Sequence, residues 1–118
     1  MDGFNTKFIK LVNDIKSGEI LSNELDKYVK DNSNKNIFKK CILNLLDNKD
    51  EYVKAFACKY CFDYDIDKKK AYDISRYILR NSKDKNSKIE AKYVYDRYKK
   101  RYVTKITKLI MNRKLKKS

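Results

Sequence analysis

The sequence predicts an all-α protein with a single domain, folded as a compact bundle of about six helices. The chain has no proline and only two glycines, Gly3 and Gly18, so it lacks the residues that tight β-turns require. Its 118 residues are typical of one domain, and 42% of them are hydrophobic, which is normal for a globular protein. Apolar residues also recur at helical spacing along most of the chain.

The first third of the chain predicts three helices. The first ends at Gly18, the expected C-cap, and Ser22 is the expected N-cap of the second. A polar stretch, residues 31–34, separates the second helix from the third. The core residues expected are Phe4, Phe8, Leu11, Val12 and Ile15 in the first, Leu25, Tyr28 and Val29 in the second, and Ile37, Phe38, Cys41, Ile42, Leu45 and Leu46 in the third.

Capping patterns predict where three further helices begin. Asn48 with Glu51 and Ser87 with Glu90 have the spacing of capping boxes, and Asp67 is the expected N-cap between them. A polar loop is expected over residues 81–86. The core residues expected are Val53, Phe56, Ala57, Tyr60 and Cys61 in the fourth helix, Ala71, Ile74, Tyr77 and Ile78 in the fifth, and Ala91, Val94, Tyr95, Tyr98, Tyr102, Ile106, Leu109 and Ile110 in the sixth.

The sixth helix keeps its apolar period to about residue 112. The pattern does not decide between one long helix and a break near Lys99 and Lys100.

The fourth and sixth helices also suggest an internal repeat. A shift of 38 residues aligns Val53 with Ala91 and Tyr60 with Tyr98, close to the period of about 40 residues in HEAT and armadillo units. Residues 37–100 thus resemble a short HEAT-like stack, in which residues 48–57 open one repeat and residues 71–79 form its return helix. The chain departs from that family by lacking the proline that often ends the first helix and by having tyrosine where leucine is usual.

The resemblance implies a scaffold that binds partners and has no catalytic residues. In size and helical character the chain is similar to helical bacterial immunity proteins. We divide the single domain, residues 1–118, into amino-terminal helices (1–47), HEAT-like helices (48–100) and a basic carboxyl-terminal helix (97–118).

Two features that many enzymes use are missing. There is no histidine to act as a general base, and the isolated glycines form no phosphate-binding loop. Cys41, Cys58 and Cys61 would give only three thiolates of an unusual zinc site, so we expect them in the core, although the sequence leaves metal binding by Cys58 and Cys61 open.

Residues 63–67 alternate aspartates as a calcium loop does. However, Lys68 replaces the required glycine and Ile74 the required glutamate, so we expect a helix end and an N-cap there. We predict that the protein is not an enzyme and has no cofactor, no metal and no small-molecule substrate.

The amino terminus lacks the bases and the apolar run of a signal peptide. No stretch approaches the roughly 20 apolar residues that cross a bilayer, and the cysteines suggest no disulfide framework. We therefore expect a soluble protein of the bacterial cytoplasm.

Charge is concentrated near the carboxyl terminus. The chain has 30 basic and 16 acidic residues, a net charge of +14; residues 1–59 contribute +2 and residues 60–118 contribute +12. The last 22 residues contain ten bases and no acid. Lysine outnumbers arginine 25 to 5, which is typical of AT-rich coding sequences, so many lysines elsewhere need no partner to explain them.

The basic carboxyl-terminal helix is the predicted binding surface. The spacing of Arg101, Lys105, Lys108 and Asn112 places them on one face, opposite an apolar face expected to cover the bundle. Nearby tyrosines are expected to pack in the core, with their hydroxyls at its edge, more than to stack on unpaired bases. The predicted partner-binding residues are Tyr93, Arg97, Lys100, Arg101, Lys105 and Lys108.

Two functions remain for this surface. The first is a non-catalytic interaction module that binds and neutralises a cognate protein, such as a toxin domain, as immunity proteins and antitoxins do. The alternative is a nucleic-acid-binding protein that contacts phosphates through the basic helix. Membrane binding is disfavoured because the apolar face is needed to cover the bundle. The sequence leaves the oligomeric state open.

Overall fold

The computed structural model describes the backbone of residues 2–117 and the side chains of residues 3–99, 109 and 110. Within these residues the chain forms helices and no strand, which confirms the all-α fold class. The helices are α1 (Asp2–Lys16), α2 (Ser22–Asn32), α3 (Phe38–Leu45), α4 (Glu51–Asp63), α5 (Lys68–Asn81) and α6 (Lys85–Lys117).

The end of α1 confirms the expected role of Gly18. This glycine has a φ of +81°, in the left-handed region that other residues adopt only at a cost in energy. The amide of Gly18 donates to the carbonyl of Ile15 at 3.1 Å, and the amide of Glu19 donates to that of Asp14 at 2.9 Å. These two hydrogen bonds form a Schellman motif, which satisfies carbonyls at the helix end and turns the chain towards α2.

Three of the predicted N-caps are wrong by one to three residues. Ser22 is already helical, and the residue before it, Leu21, caps α2 without a side-chain hydrogen bond. At α4 the cap is Asp50, whose carboxylate accepts from the amide of Tyr52 at 2.9 Å, while Asn48 instead accepts from the amide of Asp50. An aspartate nearer the helix displaces the asparagine of the predicted capping box because its charge also favours the positive end of the helix.

At the start of α6, too, an aspartate takes the place of the predicted capping residue. The helix begins at Lys85, so Ser87 lies inside it, and its hydroxyl donates to the Asp84 carboxylate at 2.5 Å. This hydrogen bond is the main reason why the pKa of Asp84 lies below its ordinary value. The positive charge of Lys16 and the backbone amides of residues 86 and 87 lower it further. At α5 the prediction is confirmed, since Asp67 accepts from the amide of Lys70 at 3.3 Å.

All six helices contribute to the core. Its largest fully buried side chains are Tyr60, Phe8, Phe56, Leu25, Ile42, Leu45, Leu46, Ile78, Val12, Val29, Val53 and Val94. Aromatic rings connect distant helices: Phe8 of α1 meets Tyr60 of α4 edge to face, with centroids 5.8 Å apart. The helical repeat suggested by the 38-residue shift stays a prediction.

The structure settles the question left open for α6. The helix runs without a break for 33 residues from Lys85 to Lys117, about 50 Å at 1.5 Å per residue. Its two main neighbours, α4 and α5, have 13 and 14 residues and are about 20 Å long. Only the first part of α6 can therefore lie against them.

Candidate partner-binding surface

Two of the six predicted binding residues have described side chains, and both are exposed. Tyr93 and Arg97 lie one turn apart on α6, and Tyr93 is 56% exposed. The guanidinium carbon of Arg97 lies 5.2 Å from the ring centroid of Tyr98, within the range of a cation–π interaction. Ile89, one turn before Tyr93, is 59% exposed. An aromatic, a cation and an aliphatic side chain thus line the solvent side of α6.

The other four predicted residues, Lys100, Arg101, Lys105 and Lys108, lie in the continuous helix, but their side chains lie outside the described residues. Their role in binding stays a prediction.

The expectation that the apolar side of α6 covers the bundle along its whole length is wrong. The buried side chains described in α6 are Ser87, Ala91, Val94 and Tyr98, whereas Leu109 is 59% exposed and Ile110 is 50% exposed. The physical reason is length, because α6 continues past the ends of the helices on which it packs. Part of the apolar face of α6 is therefore open to solvent at Leu109 and Ile110.

Where α6 leaves the bundle, tyrosines link it to α4 and α5. As the sequence predicts, Tyr98 is buried while its hydroxyl reaches the rim, where it donates to the exposed Asp63 carboxylate. Tyr95 stacks on Tyr72 of α5, with centroids 5.3 Å apart, and the hydroxyl of Tyr72 donates to that of Tyr95 at 3.3 Å. This hydrogen bond, with the nearby Lys99 ammonium, lowers the pKa of Tyr95 below its ordinary value.

A partly buried polar cluster lies between α2 and α4, with Glu90 of α6 nearby, and the sequence did not predict it. One carboxylate oxygen of Asp26 accepts from the Tyr60 hydroxyl at 2.6 Å and from the Lys59 ammonium at 2.8 Å. Burial, followed by the hydrogen bond to Asp26, raises the pKa of Tyr60. Burial also raises the pKa of Glu90. The positive charge of Lys59 lowers it, and the negative charge of Asp26 raises it further, with burial the largest effect. The hydrogen bonds form a structural network that joins α2 to α4, and Glu90 of α6 lies close enough to feel the charges of Lys59 and Asp26.

A groove of about 650 Å³ runs along α5 beside the start of α4. Tyr77, expected in the core, is instead 64% exposed on its wall. Ile74 and Ile78 line it beside Lys54 and Lys70, but Glu51, Asp67 and Asp73 line it as well. Because both charge signs are present, the groove has no strong preference for an anionic or a cationic ligand.

The cysteines lie in the core. Cys41, Cys58 and Cys61 are at most 1% exposed and form no disulfide. Burial raises the pKa of both Cys58 and Cys61 to about 12, which suppresses the thiolate that binds metal or reacts. Across the described side chains, no three cysteine, aspartate or glutamate residues come together as a metal site. In the calcium-like stretch, Asp65 has a left-handed backbone and pairs with Lys68 at 3.1 Å, while Asp67 caps α5.

No helix in the described part of the chain combines the length and the apolar character needed to span a membrane. The chain matches no protein-family model, and no curated protein or solved structure is significantly similar to it.

Proposed function

We propose that the protein is a non-catalytic binding module that docks on the acidic surface of a partner protein through the carboxyl-terminal part of α6. The observation that carries this proposal is the continuation of α6 beyond its packed segment, with exposed Leu109 and Ile110, in a stretch of ten bases and no acid. Charge of one sign on an extended helix attracts a surface of the opposite sign and accelerates association.

Exposed apolar and aromatic side chains favour a protein as the partner. Contacts to nucleic-acid phosphates need only lysine and arginine side chains, whereas protein interfaces combine charged residues with aromatic and aliphatic anchors. Tyr93 lies beside Arg97 at the start of the basic stretch, and Leu109 lies within it. In the specific form of the proposal, the partner is a toxin domain and the chain is its immunity protein, a role supported by the resemblance to small helical immunity scaffolds.

The proposal is tested with the product of the neighbouring reading frame, prepared in an inactive form. We expect calorimetry at about 150 mM salt to detect binding, and the triple variant R97E/R101E/K105E to weaken it at least tenfold. The matched control, K27E/K30E/K39E, changes the net charge equally on exposed lysines of α2 and α3, and it should bind as the natural chain does.

Two results would contradict the proposal. Equal weakening by both triple variants would show that only the total charge matters. Retardation of unrelated DNA sequences at the same salt, lost in R97E/R101E/K105E, would instead support the nucleic-acid alternative.

A further inference from the structure

The side of α6 that faces the bundle changes its chemistry after Tyr98. Residues seven apart in a helix differ by only about 20° around its axis. Val94 and Tyr98 are buried against the bundle, and the residues seven positions later are Arg101 and Lys105. Because burying an unpaired cation is strongly unfavourable, the second part of α6 has no reason to pack on its own bundle.

The apolar residues of this second part are centred about 90° around the helix axis from the buried side chains, at 3.6 residues per turn, although Leu109 itself lies in line with Ala91. They follow a spacing of one, four, seven and eight residues, which marks a single face; they are Tyr102, Val103, Ile106, Leu109 and Ile110, and we call them the distal stripe. Leu109 and Ile110 are the members with described side chains, and at least half of each is exposed. Grouped exposed apolar residues usually mark an interaction site.

Charge decides what covers the distal stripe. A second copy of the chain would bring another ten bases against the ten of residues 97–118, so self-association through this helix is opposed by repulsion. The phosphates of a nucleic acid would pair with the lysines and arginines but would leave the aliphatic residues in water. An apolar groove with a rim of carboxylates satisfies both, because amphipathic helices bind such grooves through residues spaced as in the distal stripe.

We infer that the distal stripe is a helix-in-groove anchor, and that its partner is a protein whose apolar groove is rimmed by aspartate and glutamate. The inference rests on the proposed function and specifies the partner's surface. It assigns the energy of binding to Leu109 and Ile110, and the orientation and rate of docking to the surrounding bases.

The test titrates the full-length chain into calcium-loaded calmodulin, a protein with an open, methionine-lined groove that accepts amphipathic helices. We expect binding at about 150 mM salt that disappears when calcium is chelated. Leu109→Ser should weaken it about tenfold, because a buried leucine contributes roughly the corresponding free energy. Leu21→Ser is the matched control: Leu21 is 74% exposed ahead of α2 and lies outside α6, so its replacement should change nothing.

The variants also separate this inference from the proposed function. Binding weakened by R101E/K105E but unchanged by Leu109→Ser would overturn the inference and leave docking on an acidic protein intact. No binding, or binding insensitive to both changes, would overturn the inference alone, because the proposed function is tested separately with the product of the neighbouring reading frame. Sedimentation with vesicles of phosphatidylserine and phosphatidylcholine that is lost in Leu109→Ser would overturn the inference in favour of a lipid surface, whatever the calmodulin result.

Discussion

Tyr98 of α6 stacks on Phe62 of α4, with ring centroids 4.3 Å apart and ring planes 9° from parallel. The hydroxyl of the same tyrosine donates to the carboxylate of Asp63. Among the described side chains of α6, Tyr98 is the last that is buried. Within the described side chains, the pair is therefore the last contribution of α6 to the core.

Replacing Tyr98 by phenylalanine keeps the stacked ring and removes the hydrogen bond to Asp63. We expect Tyr98→Phe to lower the free energy of unfolding by about 1–2 kcal/mol, because a bond to a charged acceptor is stronger than an average one. Urea denaturation measures the change. Tyr93→Phe, at a tyrosine that is 56% exposed, is the control and should leave stability unchanged. Equal stability of all three proteins would show that the Asp63 bond contributes nothing.

The two glycines should respond to alanine in opposite directions. No atom lies within 4 Å of a Cβ added at either, so only backbone conformation decides. Gly18→Ala should lower the free energy of unfolding by about 1 kcal/mol, since alanine is strained at positive φ. Gly3 lies in α1, where alanine is the better helix former, and Gly3→Ala should raise it by about 0.5 kcal/mol. Thermal unfolding compares the two variants; destabilisation of similar size in both would contradict this reasoning.

Glu90 should make the protein less stable as pH rises. Its pKa in the folded chain is raised above its usual value, mainly by burial, so the folded state holds its proton to a higher pH than the unfolded state does. Stability from this group is therefore fully present below the ordinary glutamate pKa of about 4.3 and falls as pH passes through the raised value.

Glu90→Gln removes this dependence. The difference in unfolding free energy between the variant and the natural chain should shift in favour of the variant as urea titrations move from pH 4 to pH 7. Glu24→Gln, at an exposed residue of α2, is the control for the loss of one carboxylate. A difference that stays constant with pH for Glu90→Gln would mean that Glu90 keeps an ordinary pKa.

The cysteines should be unreactive in the folded protein. Cys58 is fully buried, and a pKa of about 12 leaves almost no thiolate at Cys58 or Cys61 at neutral pH. We expect a colorimetric disulfide reagent to label less than one thiol per chain under native conditions and all three in urea. Addition of zinc should not shift the melting temperature. Rapid native labelling of two thiols, or a zinc-dependent rise in melting temperature, would indicate an accessible Cys58–Cys61 pair.

Helical spacing predicted most of the interior of α1 to α5 but not where α6 leaves the bundle. It also placed Ile37 and Tyr77 in the core, whereas Ile37 is 41% exposed ahead of α3 and Tyr77 is exposed on α5. Periodicity shows that a helix has an apolar side, and it does not show whether another element covers that side. Leu109 and Ile110 therefore fit the apolar helical spacing of α6 as Ala91 and Val94 do, although only Ala91 and Val94 are buried. The capping boxes at Asn48 and Ser87 failed because α4 has Asp50, two residues after Asn48, as its cap, and α6 begins before Ser87, where Asp84 accepts from the Ser87 hydroxyl.

The polar cluster could not be predicted from the sequence for a different reason. Asp26 and Tyr60 are 34 residues apart, and neither has a local pattern that indicates the other. Only the arrangement of α2 and α4 around their shared core brings the carboxylate to the hydroxyl. Contacts of this kind depend on how helices cross, which a single sequence does not specify.

The division of α6 at Tyr98 separates two kinds of evolutionary constraint within a single helix. Substitutions at the buried positions, such as Val94 and Tyr98, alter the free energy of folding, because those residues fill the core. Substitutions at exposed positions beyond Tyr98, such as Leu109, leave folding nearly unchanged. Under the proposed function, the carboxyl-terminal part of the helix would be able to change with the surface of a partner without altering the bundle.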